Sequence, residues 1–258
     1  MKKFLVSILM LSLTVLVFTE DQVAILCYHT FINNCSGPYN FSTDEFKRHI
    51  QELKNLGYCF VSWEQILSNQ VKGNSNILIT IDDGNRTIKN IYENVLKENN
   101  IKPILFIYPN IIGKVFYALK YDDLHNFYQQ GFTIGAHGYY HLYLTHKFFV
   151  ENPDGFKKEI FLSKCKLEKR LSTEINVFGY PFGIHPPIAE EYVKKAGYKY
   201  AFTVDQGFVK IPLELNSNPY SLPRFLVTHY SWKKILNILK NHIKSPIQAF
   251  KRGKYENC

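Results

Sequence analysis

The chain has 258 residues, 46% of them hydrophobic and 16% aromatic, with a formal net charge of +9. That is enough to bury a full core, and the length suits one large α/β domain better than two small ones. The sequence has no internal repeat and no low-complexity segment, and its charge suits an anionic partner: nucleic acid, phospholipid or an acidic glycan.

At the N-terminus, Lys2-Lys3 precede a nearly uncharged run from Phe4 to Phe18. The run is short for a spanning helix and typical of the apolar part of a secretory signal. Residues 1–19 are expected to be a signal peptide or, because Val17-Phe18-Thr19 is a poor cleavage pattern, an uncleaved anchor. The protein is then exported, to the periplasm or the cell exterior, and nucleic acid becomes the least suitable of the three partners. Cys27, Cys35, Cys59, Cys165 and Cys258 are odd in number, so at least one stays free or pairs with another chain, and no C-x-x-C spacing suggests a thiolate metal site.

Val23 to Tyr28 reads as a first buried strand ending at His29. Ser42-Thr43-Asp44-Glu45 is a capping box that opens a helix with Phe46, Ile50, Leu53 and Leu56 on one face and Gly57 as its stop. A strand at Cys59 to Val61 follows, then a shorter helix opened by Ser62-Trp63-Glu64-Gln65. Ile77 to Ile81 is β-branched, bounded by turn residues, and ends at Asp82-Asp83-Gly84. Such a run predicts a buried parallel strand, and alternation along it predicts that the two carboxylates point in different directions. A helix from Thr87 to Lys97 leads to a strand at Pro103 to Tyr108. A helix around Asp122 to Gln130 leads to a strand at Phe132 to Ala136, which reaches His137. The later units are a helix at Phe156 to Leu171, a strand at Ile175 to Phe178, a helix at Pro187 to Ala196 and a strand at Tyr200 to Val204.

This alternation predicts a parallel sheet of about seven α/β units, closed into a barrel with catalytic groups at the C-terminal ends of its strands. His29, Asp82, Asp83, His137, Pro181 and Asp205 all fall just after strand runs, so one mouth would collect them. Ser231 to Ile243 is a basic amphipathic helix. It is expected to be the last helix of the barrel with a solvated face, in preference to a membrane contact.

An Asp-Asp-Gly tripeptide alone most often means a turn. Two histidines downstream change that reading. His137-Gly138-Tyr139-Tyr140-His141 places two imidazoles four residues apart, which on a helical turn would put both on one face at a separation that suits a single metal ion. Two histidines and one carboxylate leave a coordination position open for water, whose pKa a catalytic ion lowers to about 7.

Thr80-Ile81-Asp82-Asp83-Gly84 resembles the first motif of the NodB-homology polysaccharide deacetylases, carbohydrate esterase family four. His137-Gly138-Tyr139-Tyr140-His141 resembles their second motif, and Phe178-Gly179-Tyr180-Pro181-Phe182-Gly183, more loosely, their third. The resemblance covers about residues 23 to 230. It implies a distorted (β/α)7-type barrel, a single α/β domain at 20–245 with a basic tail at 246–258. It also implies a metal-dependent hydrolase that removes N-acetyl groups from an envelope polysaccharide or oligosaccharide. By that likeness Asp82 is the general base, Asp83, His137 and His141 hold the ion, and the Phe182 N–H belongs to the oxyanion hole, with Tyr180 and Pro181 beside it. Zinc is the expected ion, with cobalt or nickel acceptable in the same geometry.

Tyr28-His29 after the first strand is similar to the branch that deacetylates poly-N-acetylglucosamine with permuted motif order, which implies His29 as general acid. Leu226-Val227-Thr228-His229 is the rival, since the unpermuted family takes its acid from a late Leu-x-x-His. Three departures stand out. Gly138 replaces the usual Ser or Thr, and Gly179 replaces an arginine that orients the base, for which Arg224 is the substitute. The motif that supports the acid is absent, with Asp205 as its stand-in. Competing readings are a deacetylase of a lipid-linked amino sugar with membrane-surface contact, an O-acetyl esterase, and a non-catalytic glycan-binding module on the same fold.

Overall fold

The computed structural model describes residues 21–33 and 37–244. The apolar run at 1–19 and the basic tail at 246–258 lie outside the described residues. Strand β1 (Asp21–Tyr28) is buried from Val23 onward. A short parallel pair, β2 (Thr30–Phe31) and β3 (Asn40–Phe41), leads into α1 (Thr43–Asn55). That helix starts where the capping box places it: Ser42 Oγ accepts the Glu45 N–H at 3.1 Å, and Glu45 Oε2 accepts the Ser42 N–H at 2.8 Å. After β4 (Cys59–Phe60) and α2 (Trp63–Leu67) comes β5 (Asn76–Ile81), buried along its whole length as a parallel strand covered on both faces should be.

The chain continues through α3 (Ile88–Ile91), a π-helical turn at Tyr92–Leu96, β6 (Ile104–Ile107), α4 (Tyr121–Gln129) and β7 (Thr133–Ala136). Next come α5 (His146–Glu151), α6 (Pro153–Lys157), a second π-helical turn at Lys158–Leu162, α7 (Ser163–Leu171), β8 (Val177–Gly179) and α8 (Pro187–Lys195). The last elements are β9 (Tyr200–Phe202), β10 (Phe208–Ile211), β11 (Phe225–Leu226) and α9 (Trp232–Lys244).

Parallel pairing runs β1, β5, β6, β7, β8, β9, and the path then turns back on itself. Phe202 of β9 bridges Leu222, the Leu222 N–H donates to Ala201 at 2.8 Å, and β11 pairs in parallel with β1. These strands curl into a distorted barrel of the (β/α)7 type, while β4 and the antiparallel β10 extend it beside β5 and β1.

Alternation decides what fills the interior. Val23, Ile25, Leu78, Ile104, Phe106, Val177 and Phe202 form one buried cluster, separate from the larger cluster between strands and helices. The interior is therefore packed, as in other α/β barrels. Room for the Phe106 ring comes from two glycines: a Cβ at Gly135 or Gly179 would lie 2.6 or 2.8 Å from it. Following the same inward alternation to the C-terminal ends, apolar side chains give way to Cys27, Thr80, Asp82 and His137. Register pairs Tyr28 with Ile81, Ile107 with Ala136 and Gly179 with Phe202, so the residues that follow these strands share one rim.

The basic helix α9 buries Ile235, Leu239 and Ile243, and the Tyr58 hydroxyl donates to the Leu239 carbonyl at 3.1 Å. Its apolar face is thus spent on the barrel. Among the described residues no helix is long and apolar enough to cross a membrane.

Candidate active site

Asp82 extends the inward-facing series of β5, and its N–H continues the ladder to the Tyr28 carbonyl at 2.9 Å. Asp83 does not alternate to the opposite side, as strand geometry predicts. Its φ of +75° swings the carboxylate back, so that Asp82 Oδ2 and Asp83 Oδ1 each lie 3.6 Å from His137 Nε2. Gly84, at φ +72°, completes the left-handed turn.

The two histidines also differ from expectation, because they sit on a loop and not on a helical turn. Gly138 and His141 have φ of +72° and +65°, which no helix accommodates. The loop nonetheless brings His141 Nε2 to 3.3 Å from Asp83 Oδ1. His137 Nδ1 lies 2.7 Å from the Gly179 carbonyl, which can only accept, so Nδ1 carries the proton and Nε2 presents a lone pair. Burial pushes the His141 imidazole down to about 4, so it is neutral at ordinary pH.

The donor atoms of Asp83, His137 and His141 lie within 4.8 Å of one another, and Asp83 Oδ1 is buried with no hydrogen-bond partner. Ligands about 2.0–2.1 Å from a tetrahedral ion are themselves roughly 3.3 Å apart. An anionic oxygen facing imidazole lone pairs at that spacing is unfavourable without a cation between them. The three residues fit a divalent metal ion.

Asp82 is held differently. Arg224, fully buried, donates from Nη1 to Asp82 Oδ1 at 2.8 Å and from Nη2 to Oδ2 at 2.9 Å. It also reaches the Thr203 carbonyl through Nε and Thr80 Oγ1 through Nη1, and its guanidinium lies 5.0 Å from the Phe106 ring centroid. Burial alone would raise the Asp82 carboxyl; Arg224 outweighs it and holds the group well below the usual carboxylate range. The Cys27 thiol, kept protonated by burial, adds a contact to Asp82 Oδ2 at 3.4 Å. Gly179 leaves no space for a side chain, since a Cβ there meets Phe106, so the charge beside Asp82 arrives from the 222–226 segment.

His29 stands at the same mouth, with a donor atom within 4.8 Å of those of Cys27 and Asp82. Its Nδ1 is buried without a partner, and its pKa is lowered chiefly by burial, against the pull of Asp82 and Asp83. His229 is elsewhere: its Nε2 lies 2.7 Å from the Asn40 carbonyl, and its ring packs 4.6 Å from Phe41. Asp205, the expected support for the acid, is corrected by the structure, because its carboxylate pairs with His185 at 2.8 Å and not with His29.

Phe182 adopts φ +58°, and its half-exposed ring lies 4.6 Å from His141 and stacks on Tyr143 at 3.8 Å. Pro181 is buried beside the Gly138 loop. Tyr180 is part of the frame: it is fully buried, and its hydroxyl donates to the Tyr220 carbonyl at 3.0 Å. The sequence reading missed Glu159, a fully buried carboxylate under the histidine loop. Its signal was weak, since nothing marks one glutamate in a charged amphipathic helix as turned inward.

Comparison with known proteins agrees with this geometry. The polysaccharide deacetylase family model matches residues 69–201, just over half of the chain. The poly-beta-1,6-N-acetyl-D-glucosamine N-deacetylase of Staphylococcus aureus strain MSSA476 is 25% identical over 213 residues, 77% of this chain and 71% of that protein. Its counterpart in Staphylococcus epidermidis RP62A is 25% identical over 229 residues, 84% of this chain and 76% of that protein. Among solved structures, IcaB from Ammonifex degensii superposes with a TM-score of 0.73 at 23% identity, over 85% of this chain and 97% of that one. The Streptococcus pyogenes deacetylase PplD superposes with a TM-score of 0.71 at 21% identity, over 86% of this chain and 99% of that one. With the family model spanning the strand that carries both aspartates and the loop that carries both histidines, the chain belongs to the polysaccharide deacetylase family.

Proposed function

We propose that this enzyme hydrolyses the acetamide groups of a poly-N-acetylglucosamine-like polysaccharide, with Asp83, His137 and His141 holding a divalent ion and Asp82 and His29 handling protons. The observation that carries the reading is the juxtaposition at one mouth of three lone-pair donors with a separate, arginine-held carboxylate. A bound ion would polarise the acetamide carbonyl and acidify a water; two nitrogens, one oxygen and an open position favour zinc.

The chain's own residues do the rest. Arg224 keeps Asp82 ionised and fixes its plane, so that Asp82 takes the proton from the attacking water. The N–H of Phe182 donates to the carbonyl oxygen as charge builds on it. His29 delivers a proton to the amine nitrogen as the C–N bond breaks, giving acetate and a free amino sugar. No group needed for turnover is missing, which argues against a non-catalytic glycan-binding module. The apolar run at Phe4 to Phe18 and the polymers named for the staphylococcal relatives support an exported enzyme, periplasmic or extracellular.

The test is acetate release from β-1,6-linked N-acetylglucosamine oligomers, beside lipid-linked N-acetyl sugars and O-acetyl esters. Turnover on the oligomers that disappears in Asp82→Asn supports the reading. Activity confined to either of the other substrates would replace it.

A further inference from the structure

Glu159 lies in the π-helical turn Lys158–Leu162, and its carboxylate is fully buried. Burying a carboxylate is costly unless its oxygens are saturated with donors. Here the donors come from the histidine loop: Oε1 accepts the Tyr140 N–H at 2.9 Å, and Oε2 accepts Tyr139, Tyr140 and Leu142 N–H groups at 3.2, 3.1 and 3.1 Å. The His141 N–H is aimed at the same carboxylate. Successive N–H groups converge in this way only where the backbone winds through left-handed conformations, as it does at Gly138 and His141. A left-handed non-glycine residue such as His141 is strained and persists only if its surroundings enforce it.

Gly138 belongs to the same arrangement, since a Cβ there would stand 2.7 Å from Glu159 Oε2. The carboxylate therefore occupies the space in which a side chain at 138 would otherwise lie. The π-helical turn widens the helix where it carries Glu159, and such turns often mark functional sites.

We infer that Glu159 is a positioning residue for the metal centre, fixing the 138–142 loop so that the His141 imidazole faces Asp83. This rests on the proposed metal site at Asp83, His137 and His141. Outer-shell groups that orient ligands typically govern metal affinity by 10–100-fold, and Glu159 does so through the backbone.

The experiment uses the full chain, stripped of metal and titrated with Co2+ alone against a chromogenic chelator. Both the dissociation constant and the cobalt d–d absorption are recorded. His141→Ala controls for the underlying reading: if it binds Co2+ like wild type, the metal site is wrong, whatever Glu159 does. With His141→Ala impaired, Glu159→Gln is expected to raise the dissociation constant 10–100-fold and shift the d–d bands, because a carboxamide presents an N–H pair to donors that need an acceptor. An unchanged constant and spectrum, even with a lowered thermal midpoint, would overturn the inference and leave Glu159 a purely structural residue. Should the Gln protein not fold, Glu159→Asp keeps the charge and shortens the reach. It is expected to weaken Co2+ binding, and a wild-type constant and spectrum would be equally decisive against the proposal.

Discussion

A guanidinium without access to solvent persists only if its donors are met, and Arg224 meets this through Thr203, Thr80 and both oxygens of Asp82. Removing one member of such a pair strands the other, at about 3–5 kcal/mol. Arg224→Met should lose that much stability in urea unfolding. The Asp82→Asn/Arg224→Met double variant should recover part of it, because no charge is then left buried; strictly additive losses would mean the pair is not coupled. Turnover has its own prediction. Asp82→Asn should keep the metal while losing activity by roughly 10²–10⁴-fold, the range of a positioned general base. His29→Ala should cost far more turnover than His229→Ala, since the His229 ring is engaged with Asn40 and Phe41 away from the mouth. The reverse order in steady-state rates would assign the acid to the late histidine.

At the scale of elements, α1 carries a titration that the site does not use. His49 is buried against Trp232, ring centroids 3.8 Å apart, with the Tyr28 hydroxyl 3.2 Å from its Nδ1. Burial first, then the charge on Arg48, pushes its imidazole from 6.5 down to about 3. Between those values the unfolded chain binds a proton that the folded chain refuses, so stability falls as pH drops through the window and is fully present above it. The loss should be on the order of 2–3 kcal/mol between about pH 7 and 4.5, and His49→Gln should flatten that slope in denaturant titrations. Equal slopes in the two proteins would contradict it. The helices and strands that framed this pairing were legible because capping boxes at Ser42 and Ser62 and β-branched runs at Ile25 and Ile77 are local signals. The backbone at Asp83, Gly138 and His141 was not, since left-handed turns there depend on partners such as Glu159 that are distant in sequence. The candidate donor types and their spacing were thus readable, while the loop that brings these side chains together was misread as a helical turn.

For the molecule as a whole, closure of the barrel was the least visible feature, because it rests on one bridge at Phe202–Leu222 and the two-residue strand β11. So short a segment has no period to read, yet it delivers Arg224 to Asp82 and completes the mouth. The same topology sets the effect of the ion on the fold. Asp83 follows β5 and the two histidines follow β7, with β6 between them, so an ion held by the proposed ligands would tie together strands that do not touch. Binding to the folded chain alone adds about 2.7 kcal/mol at a hundredfold excess over the dissociation constant. For a chain of this size each kcal/mol moves the midpoint by about 2–4 °C, so chelation should lower the unfolding temperature by roughly 5–10 °C. Calorimetry of the wild type and His141→Ala, each with and without a strong chelator, checks this. The shift should appear only in the wild type, and a chelator-dependent shift of the same size in His141→Ala would place the ion elsewhere.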